Sequence, residues 1–134
     1  MERALDGGLG DGGLGGCAFN DPQAAAIVAD ALRAGDGYAL KAWVVMPNHA
    51  HALIAPHTGV FLGDIVRRWK GPTARRINLL HGKSGPLWAR DYFDRYTRNQ
   101  RHYDATVAYI HANPVVAALC DVPHEWPWSS AYRE

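Results

Sequence analysis

Three groups of residues in this 134-residue chain are spaced so that they could do chemistry. The first is His49-Ala50-His51, at the start of a predicted strand. Side chains at i and i+2 of a strand share a face, roughly 6.5–7 Å apart along it. Two imidazoles so placed can lean onto one divalent ion at about 2.0–2.2 Å each. Two protein ligands are too few for a closed structural site, but they suit a catalytic ion that keeps positions open for substrate oxygens. The same spacing would also serve a plain pair of half-buried histidines. The second group is Tyr109 and Asn113, four apart on a predicted helix and therefore on one face, with His102 and Thr106 on the same stripe. A tyrosine hydroxyl can attack phosphorus if a metal polarises the phosphate and lowers the cost of the phenolate. An amide oxygen one turn away could be a further ligand. Taken alone the signal is weak, since a helical tyrosine facing a sheet is far more often core and Asn before Pro is an ordinary helix end. The third group, Gly82-Lys83-Ser84, resembles the end of a phosphate-binding P-loop. That motif needs a glycine at position 77, which holds Ile77, and no strand feeds it, so it reads as a basic turn.

The elements that must position these residues follow from periodicity. Asp21-Pro22 is a helix start, an N-cap followed by proline at the first helical position. Ala24 to Leu32 carries apolar residues at helical spacing, and Gly35 and Gly37 stop it. Tyr38 to Met46 is aromatic and β-branched, a strand. Pro47-Asn48 turns the chain, and His49 to Ala55 returns as its partner. Phe61 to Leu80 is a basic amphipathic helix with a kink or break predicted at Gly71-Pro72. A strand is predicted around Tyr92 to Tyr96, then a helix over Asn99 to Ala112, with Pro114 ending it or opening a short helix to Leu119. The tail from Val122 to Tyr132, with Trp126 and Trp128, reads as an extended clamp over the core. Residues 1–20 are expected to be a Gly-rich irregular lead-in, and residues 21–134 a single domain.

Composition narrows the function. Hydrophobic residues make up 48% and charged residues 20%, as in an ordinary globular domain. Cys17 and Cys120 lie far apart and form no C-x-x-C pair, so no disulfide framework is indicated and a reducing, cytoplasmic setting is expected. The apolar runs are too short to span a bilayer, and the first residues show no signal-peptide pattern. The net charge of +1 hides an asymmetry: between Ile65 and Arg101 there are ten bases against two acids, Asp91 and Asp94. Arg67, Arg68, Lys70, Arg75, Arg76, Lys83, Arg90, Arg95 and Arg98 are the candidate DNA-binding residues of that segment, which also holds Arg101. A basic stretch on a near-neutral protein suggests a face for a polyanion, although solvated helix faces look the same. The interleaved aromatics (Trp69, Trp88, Tyr92, Phe93 and Tyr96) tilt the reading toward single-stranded nucleic acid, whose exposed bases stack on aromatic rings.

Together the motifs carry a family resemblance. Trp43-Val-Val-Met-Pro-Asn-His-Ala-His51 resembles the signature of REP-associated tyrosine transposases and other single-tyrosine HUH transposases. So do Ser84-Gly-Pro-Leu-Trp88 with Tyr92-Phe-Asp-Arg95, Tyr109-Ile-His-Ala-Asn-Pro114, and Trp126-Pro-Trp-Ser-Ser130. Four motifs in order, from about Asp21 to Tyr132, are specific where one would not be. The resemblance implies an α+β, ferredoxin-like antiparallel sheet with helices on one face. It implies that His49 and His51 hold Mg²⁺ or Mn²⁺, that Asn113 can complete the metal site, and that Tyr109 is the nucleophile. It further implies a single-stranded or hairpin DNA substrate, cut through a 5′-phosphotyrosine link and resealed by a 3′-hydroxyl without ATP. A nucleoid-associated cytoplasmic protein, and in some relatives a homodimer, would follow.

Two departures from the pattern matter. Ala50 is smaller than the apolar residue usual between the histidines. Relatives also begin with an apolar strand, expected at the centre of the sheet, where this chain has only MERALDGGLGDGGLGGCAF. The expectation is therefore that the first strand is missing, leaving an open sheet edge or a place for another chain's strand. Three readings stay open: an active DNA-cutting and joining enzyme, a decayed or domesticated hairpin-DNA-binding relative, and an unrelated metal hydrolase built on the H-x-H pair. The last is weakened because no acid lies near the histidines in sequence.

Overall fold

The hairpin of β2 (Tyr38–Met46) and β3 (His49–Pro56), closed by Pro47-Asn48 with Met46 opposite His49, sets the architecture. Neither strand alternates: Ala42 to Met46 are all buried, and so are His51 to Ile54. A hairpin buried on both sides needs a layer on each face. The computed structural model, which describes residues 2–10 and 16–134, supplies both. On one face α1 (Pro22–Ala34) and α2 (Leu62–His81) pack Val28, Leu32, Ile65 and Ile77 against Trp43, Val45, Ala52 and Ile54. On the other, α3 (Gln100–Val116) lays Ile110, Val107 and Tyr103 on Ala42, Val44, Met46 and Leu53. The expectation of helices on one face is thus corrected: the ferredoxin-like part has two, and α3 adds a third layer.

The missing-strand expectation is also overturned. Arg3–Leu9 forms β1, which lies inside the sheet between β3 and β4 (Trp88–Tyr96), in the all-antiparallel order β2-β3-β1-β4. RALDGGL has low strand propensity, and only Leu5 in it is buried. Its conformation comes from its place: Arg3 to Gly8 pair with Ile54 to His49 on one side, and Arg3 to Leu9 with Tyr96 to Trp88 on the other. Backbone bonds to two neighbours outweigh local preference. Arg3 also pairs with Asp94 and lies 4.0 Å from the Tyr96 ring centroid. The lead-in assigned to residues 1–20 therefore holds a strand and, at Ala18–Asn20, one turn of 3-10 helix. Its segment 11–15 lies outside the described residues.

Both proline expectations need adjustment. The α2 helix runs on through Gly71-Pro72. Pro72 stands on the exposed side, and the Thr73 hydroxyl donates to the Trp69 carbonyl at 2.6 Å. The α3 helix likewise continues past Pro114 to Val116, and residues 117–119 form a turn in place of the expected short helix to Leu119. It ends in a left-handed residue, Ala118 (φ 59°), where Leu119 N–H donates to Pro114 O at 2.8 Å. The tail clamps the outer edge of β2: Val45 N–H donates to Trp128 O (2.7 Å), Ser130 N–H to Trp43 O (2.9 Å), and Trp126 Nε1 to Val45 O (3.0 Å). Among the described residues no helix is long and apolar enough to cross a membrane.

Candidate active site

Register decides which side chains meet. In the β1–β3 ladder Asp6 stands opposite His51, and Gly8 opposite His49. Odd-numbered residues of β3 share the face of Leu53, the face that α3 covers. Both histidines therefore point toward α3, and Asp6 joins them from the neighbouring strand. The hairpin tip that carries His49 is held in place, because Leu9 N–H donates to Asn48 O (2.9 Å) and Phe19 N–H to Pro47 O (3.1 Å).

The two Nε2 atoms lie 3.0 Å apart, with the rings edge to face at a centroid separation of 4.7 Å. His49 Nδ1 lies 2.6 Å from the Asn48 side-chain oxygen, and His51 Nδ1 lies 3.6 Å from Asp6 Oδ2. With the ring proton on each Nδ1, the side that faces these oxygens, both Nε2 lone pairs converge on one point. Burial pushes both imidazoles below their usual pKa, against the opposing pull of Asp6, and His49 adds to the lowering at His51. Two neutral imidazoles with lone pairs face to face repel unless a cation lies between them. Ligands at about 2.1 Å from one ion and at right angles are separated by about 3.0 Å, which matches the observed pair. Donor atoms of Asp6, His49 and His51 all lie within 4.8 Å of one another. A carboxylate with two imidazoles is a donor set that accepts a divalent cation, so the residues present fit the implied metal.

Sequence reasoning missed Asp6, because the strand that carries it was not recognised. Local sequence carried little signal for it, since Leu5 is the one buried residue of RALDGGL.

Tyr109 stands across from the histidines on α3, its ring centroid 5.7 Å from that of His51. Ile110, 2% exposed, anchors the helix to the sheet, while Tyr109 stays 63% exposed. A cleft of about 410 Å³ opens between sheet and helix, lined by Asp6, His51, Phe93, Arg95, His102 and Tyr109 among others. Asn113 sits one turn beyond Tyr109. It does not line that cleft, and its buried side-chain nitrogen has no hydrogen-bond partner among the described residues.

The basic residues divide between two faces. Arg67, Arg68, Arg75 and Arg76 are exposed on α2, with Lys83 on the turn after it, and α2 packs on the sheet face opposite Tyr109. Arg67 pairs with Asp64. Lys70 turns inward: its Nζ donates to Ala89 O (3.0 Å) and lies 5.2 Å from the Tyr92 ring centroid, and burial lowers its pKa. Arg90 is exposed on β4. Arg95 and Arg98 lie on the tyrosine side, lining with Arg101 a second cleft of about 440 Å³.

Comparison with known proteins places this geometry. The family model described as IS200-like transposase matches residues 22–113. Among curated proteins, the chain is similar to the REP-associated tyrosine transposase of Escherichia coli (strain K12), at 27% identity over 97 residues. That alignment covers 72% of this chain and 56% of the relative, so the chain spans about half the length of the relative it matches. Among solved structures, it resembles a REP-associated tyrosine transposase bound to a REP hairpin, with a TM-score of 0.73 and 20% identity over 96% of this chain and 75% of that one. It also resembles a putative transposase from Deinococcus radiodurans R1, with a TM-score of 0.58 and 22% identity over 82% of this chain and 88% of that one. At these identities the solved structures establish a shared fold. The segment bearing Asp6 lies outside the residues that the family model matches.

Proposed function

The chain belongs to the IS200-like transposase family, and from that premise we propose that it cuts and rejoins single-stranded DNA beside a hairpin, through a covalent bond to Tyr109. The observation that carries this reading is the approach of the two Nε2 atoms to 3.0 Å beside a cleft that His51, Asp6 and Tyr109 line.

In the forward step a bond forms between the Tyr109 oxygen and phosphorus, and the bond from phosphorus to the 3′-oxygen breaks. The phenol gives up its proton and the departing 3′-oxygen gains one. A 5′-phosphotyrosine and a 3′-hydroxyl remain. Attack by a second strand's 3′-hydroxyl reverses these changes and returns the proton to Tyr109. One phosphoester replaces another, so no nucleotide cofactor is needed, consistent with the failed P-loop pattern at Gly82-Lys83-Ser84.

His49 and His51 would hold the divalent ion, Mg²⁺ or Mn²⁺, with Asp6, and Asn113 is a further candidate ligand. When bound, the ion polarises the phosphate and makes the phenolate less costly. Asp6 faces the Nδ1 side of His51 at 3.6 Å, where its charge would favour this ring orientation. Burial keeps both histidines neutral and so available as ligands at neutral pH. Arg95 lies on the same cleft and meets the phosphodiester's charge.

The reading as a hairpin binder that no longer cuts drew its support from a missing first strand. With β1 in place that support is gone. Cleavage of an end-labelled hairpin with single-stranded flanks tests the proposal. Wild-type protein should give product only with Mn²⁺ or Mg²⁺, and His51→Ala should lose at least about 100-fold in rate, since an ion contributes several kcal/mol to charge stabilisation. Equal cutting with and without metal, or by His51→Ala, would contradict it.

A further inference from the structure

Tyr109 and the histidines account for only one end of the cleft. Its other end continues past Arg95, His102 and Ala105 into the second cleft, since these three residues line both. Phe93 stands opposite Asp6 in the β1–β4 register, on the same face of the sheet, and is 80% exposed. It lines the first cleft with no aromatic partner of its own among the described residues. His102 is held in one tautomer: its Nδ1 accepts the Arg98 backbone N–H at 3.0 Å, so the neutral ring carries its proton on Nε2. The ring is half-buried in the wall of both clefts, and Asn99 caps the helix end by accepting from His102 N at 2.9 Å. Arg95, Arg98 and Arg101 form no ion pair among the described residues.

An exposed aromatic face, a fixed N–H donor and three unneutralised guanidinium groups are the parts of a single-strand subsite, in which bases stack and the backbone tracks positive charge. The two clefts, of about 410 and 440 Å³, are each of the size that takes a small ligand.

We propose that this extension is a nucleotide subsite beside the scissile phosphate: Phe93 stacks an unpaired base, and His102 Nε2–H with Arg95 grips the next phosphate, which holds the cut bond against Tyr109. The inference rests on the DNA-cutting reading above and deepens it by assigning where the single strand lies. It also divides the labour of the basic residues. The β4–α3 group serves the strand being cut, on the face opposite the α2 arginines.

The test uses the full chain and a hairpin carrying a four-nucleotide single-stranded flank, with 2-aminopurine placed at each flank position in turn. One position should show fluorescence quenched by stacking in the wild-type complex. Phe93→Leu should release that quenching, and Phe93→Trp should restore it. Adding the flank to a bare hairpin should tighten wild-type binding, and Phe93→Leu should lose about 5- to 100-fold of that gain, the range that base–aromatic stacking supplies. His102→Ala should lose part of it and raise KM for cleavage more than it lowers kcat. The subsite is overturned if wild-type protein binds and cuts the flanked hairpin while Phe93→Leu and His102→Ala do the same with unchanged affinity and unchanged fluorescence. Wild-type protein that neither binds nor cuts the flanked hairpin contradicts the parent reading instead.

Discussion

His51 ties together three side chains that no stretch of sequence joins. Its Nε2 meets His49, its Nδ1 faces Asp6, and its ring edge approaches Tyr109. Because burial lowers the pKa of both histidines below about 6.5, protons compete with metal only in more acid solution. Mn²⁺ affinity should accordingly be flat above about pH 6.5 and fall below it; a fall beginning near pH 8 would contradict neutral, buried ligands. Asp6→Asn should weaken Mn²⁺ binding about 10- to 100-fold, as removal of a carboxylate that orients or joins a ligand set does. Calorimetric titration of the folded variant would check this, and unchanged affinity would remove Asp6 from the site. At this scale the histidines and the tyrosine were legible because each fell in a short motif with the right period. Asp6 was not, because its partner lies 45 positions along the chain and only the strand register brings them together.

The elements show where local reading runs out. The α1 start was readable from Asp21-Pro22, and the Asp21 carboxylate does accept from Gln23 N at 2.9 Å. The β2 and β3 strands were readable from their composition. The β1 strand could not be read that way, since a glycine-rich segment with one buried leucine is a strand only when neighbours pair both its edges. The two prolines misled for a related reason. A missing N–H costs little where the freed carbonyl can meet solvent, as on the exposed side that carries Pro72, and packing against the sheet holds the helix together across it. The end of α3 carries a testable strain. Ala118 sits at φ 59°, a conformation that costs a residue with a Cβ about 1–2 kcal/mol. Glycine would relieve this while adding about 0.4–1 kcal/mol of unfolded-state entropy. Ala118→Gly should thus stabilise the fold by about 0.5–1 kcal/mol and raise Tm by about 2–4 °C. A lowered Tm would refute the strained cap.

At the scale of the molecule, the sheet separates two surfaces. One carries α1 and α2 with the arginines of α2. The other carries α3, Tyr109, the histidines and the β4–α3 arginines. The sequence showed a basic segment but not its division, because α2 and β4 are near in sequence while the sheet lies between their charges in space. Substituting Arg95 and Arg98 by Ala should lower both cleavage and the salt dependence of binding to a flanked single strand, by about 0.7 unit of log–log slope per lost phosphate contact. The same pair of changes at Arg75 and Arg76 should leave the single-strand slope in place. Equal effects from both pairs would mean that the sheet does not divide the DNA contacts as proposed.

The most direct test of the central claim is formation of a covalent adduct. The protein is mixed with labelled, flanked hairpin DNA and Mn²⁺, denatured, and resolved for a labelled protein band, with peptide mass spectrometry to locate the link. The expected result is a metal-dependent band whose modified peptide contains Tyr109 and which Tyr109→Phe abolishes. A band that persists in Tyr109→Phe, or cleavage that proceeds with no adduct in the wild type, would contradict it.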